Sequence, residues 1–307
     1  MEGETLGEVI RSLRKRMHLT QEELAEGICS PISISRIENG TQMPSSQVLD
    51  ALLARLGTST YQICNIYYKS EKQIAFEKQA DEVAVLIRDG QLERAKKCMA
   101  SLEKHVGENA LNQQYYMLLL ASLQIGDSEK TDEVIDLLKQ SLEITKPQFS
   151  YHDFRRKLLT AREANILSLL LIAYYKKQDI LEAIQLGEEL SESLQQSVSK
   201  IKDYSIIRVN VALNLAQCLS IENRYREALR YCSDAEELSY KLSEHALLPE
   251  ILCIKAKLLY HLGEREECER IMRGIIPYME LIHKKDMAEA FRNYATNTLG
   301  ITLELNK

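Results

Sequence analysis

The chain has 307 residues, 45% of them apolar and 27% charged, with a net charge of −6. That length suits two domains, and that composition suits a packed core under a soluble surface. Proline (5) and glycine (12) are scarce, which favours helices because both residues break them. No apolar run approaches the roughly 18 residues of a membrane helix. The start, Met1-Glu2-Gly3-Glu4, lacks the basic and apolar regions of a signal peptide, so a cytoplasmic protein without membrane contact is expected. The seven cysteines are scattered singly with no CxxC pair, which argues against zinc and against disulfides. Cys218 and Cys232 fall in helical patterns as apolar filler. Residues 1–70 carry seven Lys/Arg against eight Asp/Glu, so bulk charge gives no nucleic-acid signal. The local distribution says more: Arg11, Arg14, Lys15 and Arg16 gather in one helix.

Residues 5–17 repeat at helical period, with Leu6, Ile10 and Leu13 on one side and Arg11, Arg14 and Lys15 on the other. Thr20-Gln21-Glu22-Glu23 is a capping box that opens a second short helix, with Leu24 and Ala25 inward and an end near Gly27. Ser30-Pro31 starts a third helix, Ser as the cap and Pro at the first position, where its missing N–H costs nothing. Ile34 and Ile37 form its inner stripe, and Asn39-Gly40 closes it. Pro44-Ser45 opens a fourth helix with Val48, Leu49, Leu52, Leu53 and Leu56 apolar. Two short helices joined by a tight turn in a small bundle make the helix-turn-helix layout. Such a bundle presents one helix to the major groove while neighbouring helix ends hold phosphates. For Arg14, Lys15 and Arg16, a solvated helix face and a phosphate contact are both open readings.

The stretch Leu19-Thr20-Gln21-Glu22-Glu23-Leu24-Ala25, followed by Ser35-Arg36-Ile37-Glu38-Asn39-Gly40, strongly resembles the Xre/Cro-like helix-turn-helix family over residues 5–57. The resemblance implies a phosphate contact for Gln21 and recognition-helix positions from Ser30 through Ser33 and Ser35 to Arg36. It implies phosphate contacts on the other side from Gln42 and Ser45, and an internal polar contact for Glu38. The chain departs from the family at Pro31 and Ile32, where polar residues such as Gln are usual. Ile32 can meet a thymine methyl or serve as a packing residue. Ser33 and Arg36 are the leading groove candidates; for Arg36, base readout, a phosphate and an internal salt bridge are all open.

From Ser70 onward almost everything reads as amphipathic helix. Turns of similar character recur at Asp89-Gly90, Gln178-Asp179, Glu222-Asn223 and Gly263-Glu264, with a further one at Gly126-Asp127. The last three main turns recur about every 40–45 residues, the period of helix-pair repeats. The interval from Gly126 to Asp179 is longer and contains Pro147, expected between two helices. Ala212-Leu213-Asn214-Leu215-Ala216 followed by Tyr225-x-x-Ala228-Leu229 resembles divergent tetratricopeptide repeats, without their tryptophan. Roughly five helix pairs are expected, closed by a terminal helix from about Lys284 to Leu303. The expected fold class is therefore all-α: a helix-turn-helix bundle followed by a right-handed repeat superhelix, and the resemblance to tetratricopeptide repeats implies a concave face suited to extended peptides. The expected domains are residues 1–69, with a linker about 58–72, and residues 70–307, carrying peptide binding and dimerisation.

A Cro-like bundle joined to such repeats resembles the peptide-pheromone-responsive regulators of Gram-positive bacteria, the RRNPP family. Gly27-Ile28-Cys29-Ser30 through Ile34-Ser35-Arg36-Ile37-Glu38 looks most like its PlcR-type branch. The resemblance implies a homodimer, a short signalling peptide in the repeat groove and a palindromic promoter site in double-stranded DNA. It also implies that Asn side chains on inner helices hold the peptide backbone, since an Asn amide both donates and accepts. Asn165, Asn210, Asn214 and Asn293 are the candidates, with Asn297 behind them. Asn210 and Asn214 lie four apart on one helix face. Each of these Asn can equally bond between packed helices or face water. The pairs Tyr115–Tyr116 and Tyr174–Tyr175 read as core between repeats.

No phosphate-binding Gly-rich loop, HExxH, GxSxG or paired Cys/His cluster occurs, and the six His are isolated, so no enzyme, cofactor or metal is expected. Two other readings stay open. In one, the same DNA module carries repeats that bind a protein partner or only dimerise. In the other, the chain is a repeat scaffold or inhibitor, against which the helix-turn-helix motif argues. A dimer on a palindrome would place its recognition helices about 34 Å apart. A ligand could change that spacing only through its differential affinity for two conformations.

Overall fold

The computed structural model describes residues 5–57, 71–157, 159–196, 202–242 and 247–301, and among them every regular element is a helix. The expected linker about residues 58–72, the domain boundary near residue 70 and Cys64 fall almost wholly outside the described residues.

Four helices form the N-terminal bundle: α1 (Leu6–Arg16), α2 (Gln21–Ala25), α3 (Pro31–Glu38) and α4 (Ser46–Arg55). Each begins on a hydroxyl. Thr5, Thr20, Ser30 and Ser45 accept from the backbone N–H three residues on, each cap contributing about 1 kcal/mol. Thr5–Glu8 and Thr20–Glu23 close as complete capping boxes. The apolar stripes of the four helices meet in one core of Ile10, Leu24, Ala25, Ile34, Ile37, Leu52, Leu53 and Leu56. Helix α1 crosses α3 at Gly7, where a Cβ atom would lie 2.2 Å from the Ile37 carbonyl oxygen.

Ten further helices form five sequential pairs: α5 (Glu71–Arg88) with α6 (Leu92–Leu102), α7 (Ala110–Gln124) with α8 (Thr131–Glu143), and α9 (Ala161–Lys177) with α10 (Ile180–Gln196). Then come α11 (Lys202–Ile221) with α12 (Tyr225–Leu242) and α13 (Leu248–His261) with α14 (Arg265–Leu281), followed by α15 (Lys285–Asn297). The terminal helix is thus shorter than expected, stopping at Asn297.

One local device builds most of the pair turns. After α5, α9, α11 and α13, a residue in the left-handed region ends the helix: Gly90, Gln178, Asn223 and Gly263. The next N–H then reaches back to a carbonyl of the last turn, as from Gln91 to Leu86 (2.8 Å), Asp179 to Tyr174 (3.0 Å), Arg224 to Leu219 (2.9 Å) and Glu264 to Leu259 (2.9 Å). The turn at Gly126-Asp127 differs: Asp127 caps a short 3₁₀ turn, its carboxylate accepting from Glu129 N–H at 3.1 Å. The long interval before α9 is a folded segment rather than a helix. Phe149 packs on Tyr151 (5.2 Å between centroids) and on the buried Phe154 (5.1 Å).

The chain gathers into two compact units, Met1–Ala173 with Glu192–Ser199, and Tyr174–Ser191 with Lys200–Lys307. In the first, beside the bundle core, α5–α7 pack through Phe76, Ala80, Val83, Ala95, Met99 and Leu119. In the second, α13–α15 pack through Cys253, Ala256, Cys268, Met272, Ile275, Ala288 and Ala295. Cys218 and Cys232 are buried, and burial pushes both thiols up to about 12, so they remain neutral apolar filler. Among the described residues no helix is long and apolar enough to cross a membrane.

Candidate functional site

The bundle is fastened by one buried carboxylate. The Glu38 side chain, 0% exposed at the end of α3, accepts from Arg14 Nε (2.6 Å), Arg14 Nη2 (2.9 Å) and Gln21 Nε2 (2.9 Å). Arg11 Nε stands at 3.5 Å, and Arg11 also donates to Asn39 Oδ1. Burial alone would push the Glu38 carboxyl up, but the hydrogen bonds from Arg14 and Gln21 and the nearby cations hold it below the ordinary value. Glu38 in turn raises the Arg14 guanidinium. Arg14 is therefore engaged inside the bundle, 12% exposed, with Nη1 also donating to Leu19 O at 2.8 Å. The sequence left a solvated face and a phosphate contact open for Arg14; its guanidinium is instead turned toward Glu38. Gln21 likewise turns its amide nitrogen inward. The physical reason is that a buried carboxylate must draw donors from whatever faces it.

The outer surface of α3 is built differently. The Ser30 hydroxyl accepts from Ser33 N–H (3.1 Å), and the two hydroxyls bond each other at 2.9 Å, so the Ser33 side chain is taken up locally. Pro31 brings no N–H. Beside the exposed Ser30 and Pro31, Ile32 faces solvent, 65% exposed, and so, one turn on, does Arg36, whose guanidinium has no partner among the described residues. Ser35 between them is half-buried with its hydroxyl unpaired among the described residues. Lys15 on α1 and Gln42 in the following turn are exposed and unpaired in the same sense. Ser45 caps α4, accepting from Val48 N–H at 3.4 Å. Sequence reasoning missed Thr41, whose hydroxyl donates to the Arg36 carbonyl (3.1 Å) and shapes the turn after α3. It also missed Met43, 76% exposed in that turn.

The repeat candidates are placed as follows. Asn165 is exposed on α9, one turn beyond Arg162. Arg162 lies over the Tyr115 ring at 4.1 Å and donates to Leu111 O at 3.2 Å, while the Tyr115 hydroxyl donates to Asp81 at 2.8 Å. Burial pushes Arg162 down, and burial with the Asp81 hydrogen bond pushes Tyr115 up. In the second unit, Asn210 and Asn214 lie one turn apart and half-buried on α11, and Asn214 Nδ2 donates to the Asn210 carbonyl at 2.8 Å. The Asn214 oxygen and the whole Asn210 amide have no partner among the described residues. Gln217, on the same side of α11, adds an amide with no partner among the described residues that sequence reasoning overlooked; its spacing of seven from Asn210 was the available signal. Asn293 and Asn297 are exposed on α15. Tyr174 is buried, whereas Tyr115, Tyr116 and Tyr175 are half-buried.

A cavity of about 300 Å³ also opens between α12, α13 and α14, over Leu252, Ile271 and Gly274. Its charges are paired within the wall, Lys255 with Glu236 and Arg270 with Glu267, both at 2.6 Å.

A helix-turn-helix family model matches residues 10–63. No curated relative matches the chain by sequence. Among solved structures, PlcR of Bacillus thuringiensis in complex with the peptide PapR7 and DNA is similar at a TM-score of 0.62 and 21% identity, covering 94% of this chain and 99% of that one. The apo form of the same protein is similar at 0.60 and 20%, covering 93% and 98%. ComR from S. thermophilus, in complex with DNA and its signalling peptide ComS, is similar at 0.51 and 15%, covering 97% and 100%. The chain thus carries an N-terminal helix-turn-helix domain and, taken as a whole, shares its all-helical repeat fold with PlcR and ComR.

Proposed function

We propose that this chain is a cytoplasmic transcriptional regulator that binds palindromic promoter DNA as a homodimer, its activity set by a short signalling peptide held in the repeat groove. The observation that carries the reading is a coincidence in one chain. A helix-turn-helix bundle leaves Arg36, Ile32, Lys15 and Gln42 facing outward, and 94% of the chain aligns in fold with PlcR, solved in complex with a peptide and DNA. Lys15, Arg36 and Gln42 are the residues assigned to DNA in this reading, with Ser35 beside them and Ser30 and Ser45 presenting capped helix starts. Arg14 and Gln21 hold that surface in place through Glu38. Asn210, Asn214 and Gln217 are assigned to the peptide backbone, because amides on one helix face with donors and acceptors left open among the described residues can bond both its N–H and its C=O. Asn165 and Asn293 are further candidates on their own helices.

The test is a pair of titrations with the purified full-length protein. Duplex DNA from upstream of its own gene is titrated with and without synthetic peptides taken from the small reading frames beside that gene. One peptide is expected to bind and to change DNA affinity by about 5–150-fold, the usual range of coupling between two sites. DNA binding that no peptide alters would favour repeats that only dimerise or hold a protein partner. Absence of DNA binding even at low salt would overturn the reading.

A further inference from the structure

A solitary exposed apolar residue on a protein surface is ordinarily no signal. Ile32 differs because of what surrounds it. It is the second residue of α3, 65% exposed, in a helix within the residues that match the helix-turn-helix family. The two hydroxyls beside it face each other at 2.9 Å, and Ser30 also receives the Ser33 N–H, so one of their two protons and part of their acceptor capacity are engaged locally. Pro31 has no N–H to give. The leading edge of α3 thus presents an exposed branched hydrocarbon, flanked by hydroxyls that are partly engaged with each other. One turn later the exposed Arg36 offers guanidinium donors that have no partner among the described residues.

We infer that Ile32 is a specificity-determining residue that recognises the 5-methyl group of a thymine in the major groove; this rests on the DNA-binding reading above. The major-groove edges of all four base pairs present donors and acceptors, and only thymine adds an apolar group. Pressed against a guanine, adenine or cytosine edge, the Ile32 side chain would strip water from donors or acceptors and return nothing, which penalises those bases. Against thymine it buries methyl on methyl. Ile32 and Arg36 stand four residues apart, about 6 Å along the helix. Base pairs are spaced by about 3.4 Å, so the thymine lies within about two base pairs of whatever Arg36 contacts.

The experiment uses the full-length protein, with and without the peptide set. Bound duplexes are selected from a random pool, and each thymine of the enriched site is replaced singly by deoxyuridine. This change removes the methyl and leaves every hydrogen-bonding group intact. One thymine per half-site is expected to lose about fourfold in affinity on replacement, the effect of one buried methyl. Ile32→Ala, a change at an exposed position, should fold normally and bind the thymine and deoxyuridine sites equally. Ile32→Gln should shift preference at that pair toward adenine, whose N6 and N7 suit an amide. If the protein binds its enriched site and no deoxyuridine replacement weakens it, or if Ile32→Ala keeps the thymine preference, the inference is overturned while DNA binding stands. If no sequence is enriched and no duplex is bound at low salt, DNA binding itself falls and takes this inference with it.

Discussion

At the scale of single residues, the bundle separates arginines by job. Arg14 faces a carboxylate with no exposed surface, whereas Arg36 faces solvent with no partner among the described residues. Their alanine variants should therefore fail differently. Arg36→Ala is expected to weaken DNA binding and to lower the slope of log affinity against log salt by about 0.9, the signature of one lost phosphate contact. If Arg36 reads a base instead, affinity falls with the slope kept. Arg14→Ala should destabilise the bundle by about 3 kcal/mol, because it leaves a buried carboxylate without its main partner. The reciprocal change gives a pH signature. Glu38 is held below the ordinary carboxylate value of 4.5, so the folded state binds its proton less readily than the unfolded chain does. The stability this supplies is fully present above about pH 5 and drains away as pH falls through and below the ordinary value. Glu38→Gln lacks that dependence. The melting-temperature gap between wild type and Glu38→Gln should be wide at pH 7 and narrow markedly by pH 3; a gap independent of pH would remove the charge from the explanation.

Elements are set against one another by small details of backbone approach. Helix α1 can rest on the C-terminal backbone of α3 only because Gly7 carries no side chain; a Cβ there would lie 2.2 Å from Ile37 O and 2.9 Å from Glu38 O. Backbone cannot step aside as a flexible side chain can, so Gly7→Ala should cost about 1–3 kcal/mol. It should also displace Glu38 and with it the anchoring of Arg14. Gly274, inside α14, is the opposite case. An added Cβ there meets nothing within 4 Å, since the position borders the cavity over Leu252 and Ile271. Gly274→Ala should stabilise the chain by about 0.5–1 kcal/mol through the helical backbone alone. Chemical denaturation of both variants checks the pair, and equal effects of the same sign would contradict this account of the two sites. The elements themselves were largely legible in the sequence, because caps and left-handed helix ends are local. Thr20–Glu23, Ser30-Pro31, Gly90, Gln178, Asn223 and Gly263 each mark a boundary with residues near enough to recognise by eye. What could not be read was the inward turn of Arg14 and Gln21. It depends on Glu38, 24 and 17 residues away, and on its burial, which no local spacing reports. The aromatic packing of Phe149 and Phe154 before α9 was hidden for the same reason. The outward position of Lys15 followed from helical period once α1 was assigned, whereas the sequence left Ile32 open between groove contact and packing and Arg36 open between DNA contact and an internal salt bridge.

At the scale of the molecule, a regulator of the proposed kind needs a physical route between its repeats and its DNA-binding bundle, and the first unit contains a candidate link. Lys146, in the segment between α8 and α9, donates to the carbonyl of Gly57, just past the end of α4, at 2.7 Å. Its ammonium also lies 3.9 Å from Glu163 Oε2. Glu163 is fully buried in the first turn of α9 and closes a capping box there, accepting from Thr160 N–H at 2.8 Å. A cation at the carbonyl end of α4 meets the negative end of that helix, and the same cation is drawn to the α9 cap. Burial pushes Lys146 down and the Glu163 charge opposes that, so the ammonium is held between the two elements rather than in water. Helix α9 also bears Asn165, exposed on its surface. A peptide held there that shifts α9 would pull on Lys146 and hence on the end of α4. Lys146→Met keeps the aliphatic stem and removes the charge. It is expected to leave peptide affinity and basal DNA affinity within about threefold of wild type, while the factor by which peptide changes DNA affinity collapses toward one. By reciprocity the factor by which DNA changes peptide affinity must fall equally. Two titrations, DNA with and without peptide and peptide with and without DNA, measure the factor twice. Full coupling retained in Lys146→Met would mean that the route between repeats and bundle runs elsewhere.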